Sequence, residues 1–416
     1  MTRSTPTTPS KLRRRKFLAS CALGGAAAVG LARSATAYPA NDAIRVACIG
    51  TGGRMRGALM PAAKKVAGVQ LVGVCDVWDR ALEDGRKLAH EGAFTTKDHH
   101  AVLDRKDVDA VIIATSDHWH VPLTIDACAA GKDVYVEKPL THKPSEGKAV
   151  IAAQNDHKRI VQVGMQQRSM PQFQKANELL RSGHIGEVSR VLLSWNRNAA
   201  IRKTPLGVDP KTLDWKRFLG NAPDQPFDEH RFRNWRWFWD FGGGILTDLM
   251  VHYIDIANWY LDLGRPAAAV VLGDYFQAEG YWETPETIQA TLSYPEKKLL
   301  IHFEGTFSNA RYAARIELMG KKGTLYVDRG RYEVHPEGGQ IPASEFIPGK
   351  SPRGADFDDG VDGELLHMTN WIECMRSRQR PNAPAEAGVI AVTGAHLGNF
   401  AYRQSRRARW EDLGVA

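Results

Sequence analysis

Apolar and polar positions follow two regimes along the chain. From Ala43 to about Val163, short apolar runs alternate with segments of helical spacing. Ile44-Arg45-Val46-Ala47-Cys48-Ile49 runs into glycines, and Val69-Gln70-Leu71-Val72-Gly73-Val74-Cys75-Asp76 ends on an acid. Val108 to Ala114, Asp133 to Val136 and Ile160 to Val163 complete the set. Short apolar strands bounded by turns and separated by helices predict a doubly wound parallel sheet. After residue 164 the pattern changes. Val188 to Trp195 and Ala268 to Gly273 read as strands, and Ile288 to Tyr294 and Lys298 to Gly305 alternate about the turn at Pro295-Glu296. Ile316 to Met319 and Thr324 to Val327 flank Gly320-Lys321-Lys322-Gly323. Successive hairpins predict an open, mostly antiparallel sheet. A helical tail from Leu365 to Ser405, interrupted at Pro381 and Pro384, is expected to pack back across the first domain. The fold class is therefore α/β: a parallel-sheet domain over 41–163, an α+β substrate and oligomerisation domain over 164–362, and a helical segment over 363–416.

The first 37 residues match neither regime. They hold Arg3, Lys11, Arg13, Arg14, Arg15, Lys16 and Arg33 and no acid, then a small-residue apolar stretch from Phe17 to Leu31, then Ala35-Thr36-Ala37 before Tyr38. Basic head, apolar middle and small-residue exit describe a signal peptide, the apolar part being too short and glycine-rich for a membrane span. Arg14-Arg15-Lys16-Phe17-Leu18 resembles the twin-arginine consensus, which implies export of folded cargo to the periplasm or another extracytoplasmic space. Leu18-Ala19-Ser20-Cys21 resembles a lipobox, but it lies too close to Lys16 to leave a normal hydrophobic region before the cysteine. The formal charge of +8 includes these seven cations, so the remainder stands at +1 and gives no support to nucleic-acid binding. Cys48, Cys75, Cys128 and Cys374 are widely spaced without a CxxC pair, as buried inert thiols would be.

Ile49-Gly50-Thr51-Gly52-Gly53-Arg54-Met55-Arg56-Gly57 lies where the first strand meets the first helix. Glycines there let a backbone approach a pyrophosphate, and the helix N-terminus favours its charge. The third glycine of the Rossmann fingerprint falls at Met55, a departure from the pattern. Asp76 closes the next strand, where an acid accepts from ribose hydroxyls and repels a 2′-phosphate, so NAD is expected over NADP; Arg80 nearby would offset part of that repulsion.

Further along, Thr115-Ser116-Asp117-His118-Trp119-His120, Val134-Tyr135-Val136-Glu137-Lys138-Pro139-Leu140 and Gly242-Gly243-Gly244-Ile245-Leu246-Thr247-Asp248-Leu249-Met250-Val251-His252 follow in order. Together they resemble the glucose–fructose oxidoreductase/inositol dehydrogenase (Gfo/Idh/MocA) family over nearly all of the chain after the signal. The resemblance implies NAD-dependent oxidation at a carbinol carbon of a sugar, cyclitol or sugar derivative. It implies His252 as acid/base, Asp248 as a substrate ligand, and Lys138 as donor to the reacting oxygen, with Glu137 and Pro139 fixing the turn that carries it. Asp248 and His252, four apart, share a helix face. Gly50, Gly52, Gly53, Arg54, Asp76, Arg80, Thr115, Trp119, His120, Glu137 and Lys138 are the expected cofactor contacts. Arg168, after a strand end, and Trp235 and Arg236, from an aromatic run suited to sugar stacking, join the expected substrate contacts. A cis bond before Lys138 or Pro139 is compatible with the turn. No metal is expected: the pairs His99-His100 and His118/His120 have no further ligands at a fitting spacing. A homo-oligomer, dimer or tetramer, is expected.

Export bears on the reaction class. NADH released outside the cytoplasm has no obvious reoxidant, which favours a tightly held cofactor and a closed redox cycle. Such a cycle serves an oxidoreductase that reduces a second sugar. It serves equally a glycosidase that transiently oxidises C3, eliminates the aglycone, hydrates and re-reduces. A non-catalytic sugar-binding relative is the remaining alternative, opposed by the intact Lys138, Asp248 and His252.

Overall fold

The computed structural model describes residues 43–201 and 203–415, so the signal segment read over 1–37 lies outside the described residues. The first six strands are β1 (Ile44–Ile49), β2 (Val69–Cys75), β3 (Phe94–Thr96), β4 (Ala110–Ile113), β5 (Asp133–Val136) and β6 (Val161–Val163). They form one parallel sheet in the order β3-β2-β1-β4-β5-β6. Helices α1 (Met60–Lys65), α2 (Asp79–Leu88), α3 (His99–Leu103), α4 (His120–Ala129) and α5 (Gly147–Asp156) connect these strands. The sequence order reverses between β1 and β4, and a crevice opens beyond the carboxyl ends of strands at such a switch point.

Alternation within the strands explains why both faces are covered. Ala47, Ile49, Val111, Ile113, Val134 and Val136 face one core, while Val46, Cys48, Ala110, Ile112 and Tyr135 face the other. Met55 is fully buried in this second core, and the chain opens at Met55–Leu59 into a wider π-turn before α1. The residue that departs from the glycine fingerprint thus packs against the sheet where the helix is widened.

The remaining chain holds α6 (Pro171–Arg181), β7 (Val188–Asn196), α7 (Trp215–Leu219), α8 (Glu229–Arg233), α9 (Val251–Leu261), β8 (Ala268–Asp274), β9 (Thr287–Tyr294) and β10 (Leu299–Thr306). Then come β11 (Ala314–Gly320), β12 (Gly323–Val327), β13 (Tyr332–Pro336), β14 (Ser344–Phe346), α10 (Gly363–Ser377), α11 (Ala385–Arg403) and β15 (Ala408–Arg409). The nine strands order as β14-β13-β12-β11-β7-β10-β9-β8-β15, all antiparallel except the β7–β10 pair. Ile288, Ala290, Leu292, Ile301 and Phe303 alternate inward onto the core that also holds the Val111 and Val136 face of the parallel sheet. The two sheets accordingly pack within one compact unit.

The tail divides its packing. In α10, Met368, Trp371 and Ile372 seal the second core of the parallel sheet. The second helix, α11, lies chiefly against α9 and β8 and also touches α5 and β6, and β15 joins the edge of the nine-stranded sheet. Its buried Ala391, Val392, Ala395 and Leu397 belong to the core that lies between that sheet and the Val111 and Val136 face of the parallel sheet. Cys48, Cys75, Cys128 and Cys374 are free and buried, and burial pushes the Cys48 and Cys128 thiols up to about 12. No helix among the described residues is long and apolar enough to cross a membrane.

Candidate active site

Two adjoining cavities occupy the crevice beyond β1 and β4. The first, about 520 Å³, is lined by Gly50, Gly52, Gly53, Asp76, Thr115 and Trp119 among others. Gly50 has φ +82°, and a Cβ there would meet the Ala114 carbonyl carbon at 2.8 Å, so only glycine fits. Gly52 and Gly53 have no atom within 4 Å of an added Cβ and leave the turn open toward the cavity. Asp76 shapes this turn as well as facing the cavity. One carboxylate oxygen accepts from the Thr51 amide (2.6 Å) and hydroxyl (3.2 Å), and the other from the Trp78 amide (2.9 Å). Burial pushes its pKa upward against those bonds. The Trp119 indole donates to the Phe218 carbonyl at 2.9 Å, which fixes it as one wall.

The second cavity, about 400 Å³, brings together Lys138 from one stretch of chain and Asp248 and His252 from another. Lys138 follows β5, and its bond to Pro139 is cis. The Lys138 ammonium donates to the Asp248 carboxylate at 2.9 Å and to the Asp248 carbonyl at 2.7 Å. Arg236 Nε also donates to that carboxylate at 3.2 Å, and its guanidinium lies 4.2 Å from the centre of the Trp235 ring. Burial raises the Asp248 carboxyl, but Lys138 and Arg236 outweigh it and hold the group well below the usual carboxylate range. Asp248 lies in a second π-turn, Leu246–Met250, immediately before α9. Such turns widen a helix at a functional position. Gly244, at φ +65°, admits the chain to this turn beside Thr284, 2.7 Å from where a Cβ would stand.

His252, in the first turn of α9, packs against Trp195 with ring centres 4.9 Å apart and planes tilted by 31°. Its Nδ1 is sealed and makes no hydrogen bond. Burial, reinforced by Lys138 and Arg329, holds the imidazole well below its usual range, so the ring is neutral at pH 7.

Arg54 stands in the wall of both cavities. It pairs with Glu137 at 2.7 Å and with Glu364 at 2.8 Å, tying the glycine turn to the Lys138 turn and to the start of α10. Thr115, Trp235 and Arg236 also belong to both walls. His120, Glu137 and Lys138 line the second cavity rather than the glycine-lined one. His120 is buried, with its ring nitrogens at the Pro139 (2.7 Å) and Thr115 (3.3 Å) carbonyls, and burial lowers it to about 4.

Two expected contacts lie elsewhere. Arg168 is bound to the buried Asp255 carboxylate at 2.6 and 2.8 Å and lies over Trp259. That carboxylate consumes its charge, and Arg168 lines neither cavity. Arg80 is exposed on α2 beside Trp78 and likewise lies outside both walls, because the helix carries it away from Asp76. For a metal, one group of three donors exists among the described residues, Asp98, His99 and His100. The Asp98 carboxylate already caps the His100 amide (3.0 Å) and pairs with Arg217 (3.0 Å). His118 points to the Phe218 carbonyl at 2.9 Å.

Residues that sequence reasoning missed complete the second cavity. Trp237 stacks on Trp282 at 4.3 Å, Asp117 enters from the short turn before α4, and Arg197 and Arg329 enter just after β7 and β12. Burial raises the Asp117 carboxyl well above the usual range. Trp195 ends an apolar strand and reads as core, and Arg329 follows β12 with no motif around it. Trp237, inside the aromatic run already singled out, and Asp117, inside the Thr115–His120 segment, carried a usable signal.

Residues 44–165 match the family model described as "Oxidoreductase family, NAD-binding Rossmann fold", and residues 173–326 match "GFO/IDH/MocA C-terminal domain". An inositol 2-dehydrogenase of Rubrobacter xylanophilus is 31% identical over 345 residues, covering 83% of this chain and 86% of its own. Among solved structures, the aldose-aldose oxidoreductase from Caulobacter crescentus complexed with glycerol superposes with a TM-score of 0.66 at 20% identity, over 88% of this chain and 99% of its own. Levoglucosan dehydrogenase, in complex with NADH and levoglucosan, gives 0.69 at 18% identity, over 88% and 99%. These two likenesses concern the fold.

Proposed function

The chain belongs to the Gfo/Idh/MocA family of NAD-binding oxidoreductases, and from that premise we propose that it oxidises and reduces a carbinol carbon of a sugar, cyclitol or sugar derivative. The glycine-lined cavity suits the dinucleotide: its turn is free of side chains at Gly52 and Gly53, and Asp76, Thr115 and Trp119 bound the rest. NAD bound there supplies the hydride acceptor and, on reversal, the donor.

The residues of the second cavity handle the proton and the oxygen. The neutral His252 imidazole, whose ring makes no hydrogen bond among the described residues, is free to take the hydroxyl proton of a substrate. Lys138, oriented by Asp248, donates to the reacting oxygen and stabilises the charge that builds there as the proton departs. Trp237 and Trp282 offer apolar faces to a sugar ring. The observation that carries this reading is a neutral imidazole and an ammonium in the wall of one cavity that meets the glycine turn at Arg54.

The basic, apolar and small-residue pattern of residues 1–37 supports export through the twin-arginine pathway, with the cofactor carried inside the folded protein. Purified protein lacking residues 1–37 is then expected to release NAD(H) on denaturation. It should also exchange label between a C–H-deuterated sugar or inositol and the bound cofactor. Protein that carries no dinucleotide, and that gains activity only with millimolar added NAD, would defeat the retained-cofactor part. Aryl glycosides included in the same screen address transient oxidation: solvent exchange of a C2 deuterium without NADH accumulation would place the chain among the glycosidases.

A further inference from the structure

Arg329 is the uncompensated charge of the second cavity. It follows β12, is only 4% exposed, and contributes to the cavity wall beside His252. The part-buried guanidiniums of Arg54 and Arg168 are paired with carboxylates, whereas Arg329 has no carboxylate oxygen within 4.0 Å among the described residues. Its side chain makes one hydrogen bond, from Nη1 to the Asp356 carbonyl. Nε is sealed and without an acceptor, and Nη2 has no partner either.

The neighbouring acids are already engaged. Glu364 accepts from Arg54 at 2.8 Å and Gln166 at 3.1 Å, and the Asp356 carboxylate accepts from Arg197 at 2.6 Å. Asp328 accepts from the Tyr326 hydroxyl and the amides of Gly330, Arg331 and Gly354. The other faces of the guanidinium are aromatic, with Trp195 at 5.1 Å and Phe357 at 5.3 Å. A buried cation without a counter-ion is costly, and a carboxylate relieves that cost more fully than the hydroxyls of a neutral polyol.

We propose that the substrate is an acidic carbohydrate whose carboxylate pairs with Arg329. This rests on the reading of the second cavity as the substrate site of a carbohydrate oxidoreductase, and it narrows the substrate class. Guanidinium–carboxylate pairing is charge-assisted and directional, and it strengthens where water is excluded. With His252 neutral, the imidazole does not compete for the anion. Phe357, 62% exposed, is an apolar side chain positioned to cover an entering ring.

The test uses the NAD-loaded protein at fixed ionic strength. Quenching of tryptophan fluorescence is titrated with D-glucuronate, D-galacturonate and D-gluconate, and with D-glucose, D-galactose and glucose 6-phosphate. Turnover is followed in parallel. At least one acid is expected to bind roughly tenfold or more tighter than its neutral counterpart, the scale of a charge-assisted hydrogen bond. That ratio should collapse in Arg329→Met and persist in part in Arg329→Lys. Equal binding of acids and neutral sugars overturns the proposal, as does a preference that survives in Arg329→Met, or tighter binding of the phosphate ester than of every acid. Should Arg329→Met fail to fold, the wild-type ratio and Arg329→Lys decide. Acid binding without turnover would leave the Arg329 assignment intact and remove the hydride-transfer reading. Turnover of neutral sugars without acid preference would do the reverse.

Discussion

Replacing Lys138 with alanine removes the ammonium that Asp248 holds at 2.9 Å, and replacing His252 with asparagine removes the neutral imidazole in the cavity wall whose ring makes no hydrogen bond among the described residues. Both groups act on a proton and a charge that develop during reaction, so each variant is expected to lose roughly 100-fold or more in kcat. His252 packs against Trp195 and Lys138 is ion-paired with Asp248, so melting temperature is measured alongside to separate folding from chemistry; near-wild-type turnover in both would remove the assignment. The same burial sets the pH profile. Because the His252 pKa lies well below its usual range, the base form survives mild acid, and the acid limb of kcat/KM is expected well under about pH 6.5. Other side chains mark the limits of sequence reading. Arg168 has the right residue type after a strand end, yet Asp255 takes its charge from 87 positions away. Arg329 reaches His252 only through the tertiary fold, and a one-dimensional pattern holds no trace of that approach.

At the scale of elements, strands with continuous or alternating apolar runs were legible, since burial on one or both faces writes period two into the chain. β3, β13 and β14 were not, because Phe94-Thr95-Thr96, Tyr332–Pro336 and Ser344-Glu345-Phe346 are short, largely exposed edge or near-edge pieces. Both π-turns were invisible for another reason. The extra residue per turn at Met55–Leu59 and Leu246–Met250 answers to packing and to the cavity, while local propensity favours the ordinary helix. The helical tail was legible as helix, but its division between two layers was not. That division makes α10 a structural lid on the parallel sheet, with Trp371 fully buried beside Tyr135 at 5.7 Å. Trp371→Ala is therefore expected to cost about 3–5 kcal/mol, read from the urea midpoint. A loss under about 1 kcal/mol would mean that α10 contributes little to that core.

Over the whole molecule, sealed histidines set the response to acid. Burial lowers His118, His120 and His367 to about 4 and His396 to about 3, and it lowers His99, His142 and His252 as well. The unfolded chain protonates them near 6.5, so between about pH 6.5 and 4 it binds more protons than the folded one, and stability falls as pH falls. Asp76, Asp117, Glu146 and Asp255, pushed upward by burial, act in the opposite sense but are fewer. The melting temperature is expected to drop by roughly 5 °C or more from pH 7 to 4.5; a flat profile in scanning calorimetry would show that these imidazoles are not kept neutral. One feature bears on how such a molecule diversifies. Much of the wall around both cavities, including Arg197, Ile201, Arg233, Trp235 and Trp237, comes from the single excursion between β7 and α9. That stretch contributes no strand to either sheet, whereas Lys138 and His252 are carried by the framework itself. Much of the wall can thus vary on the part of this excursion before the glycine triplet at Gly242, so grafting that part between relatives offers a route to altered walls with Lys138, Asp248, His252 and Arg329 left in place.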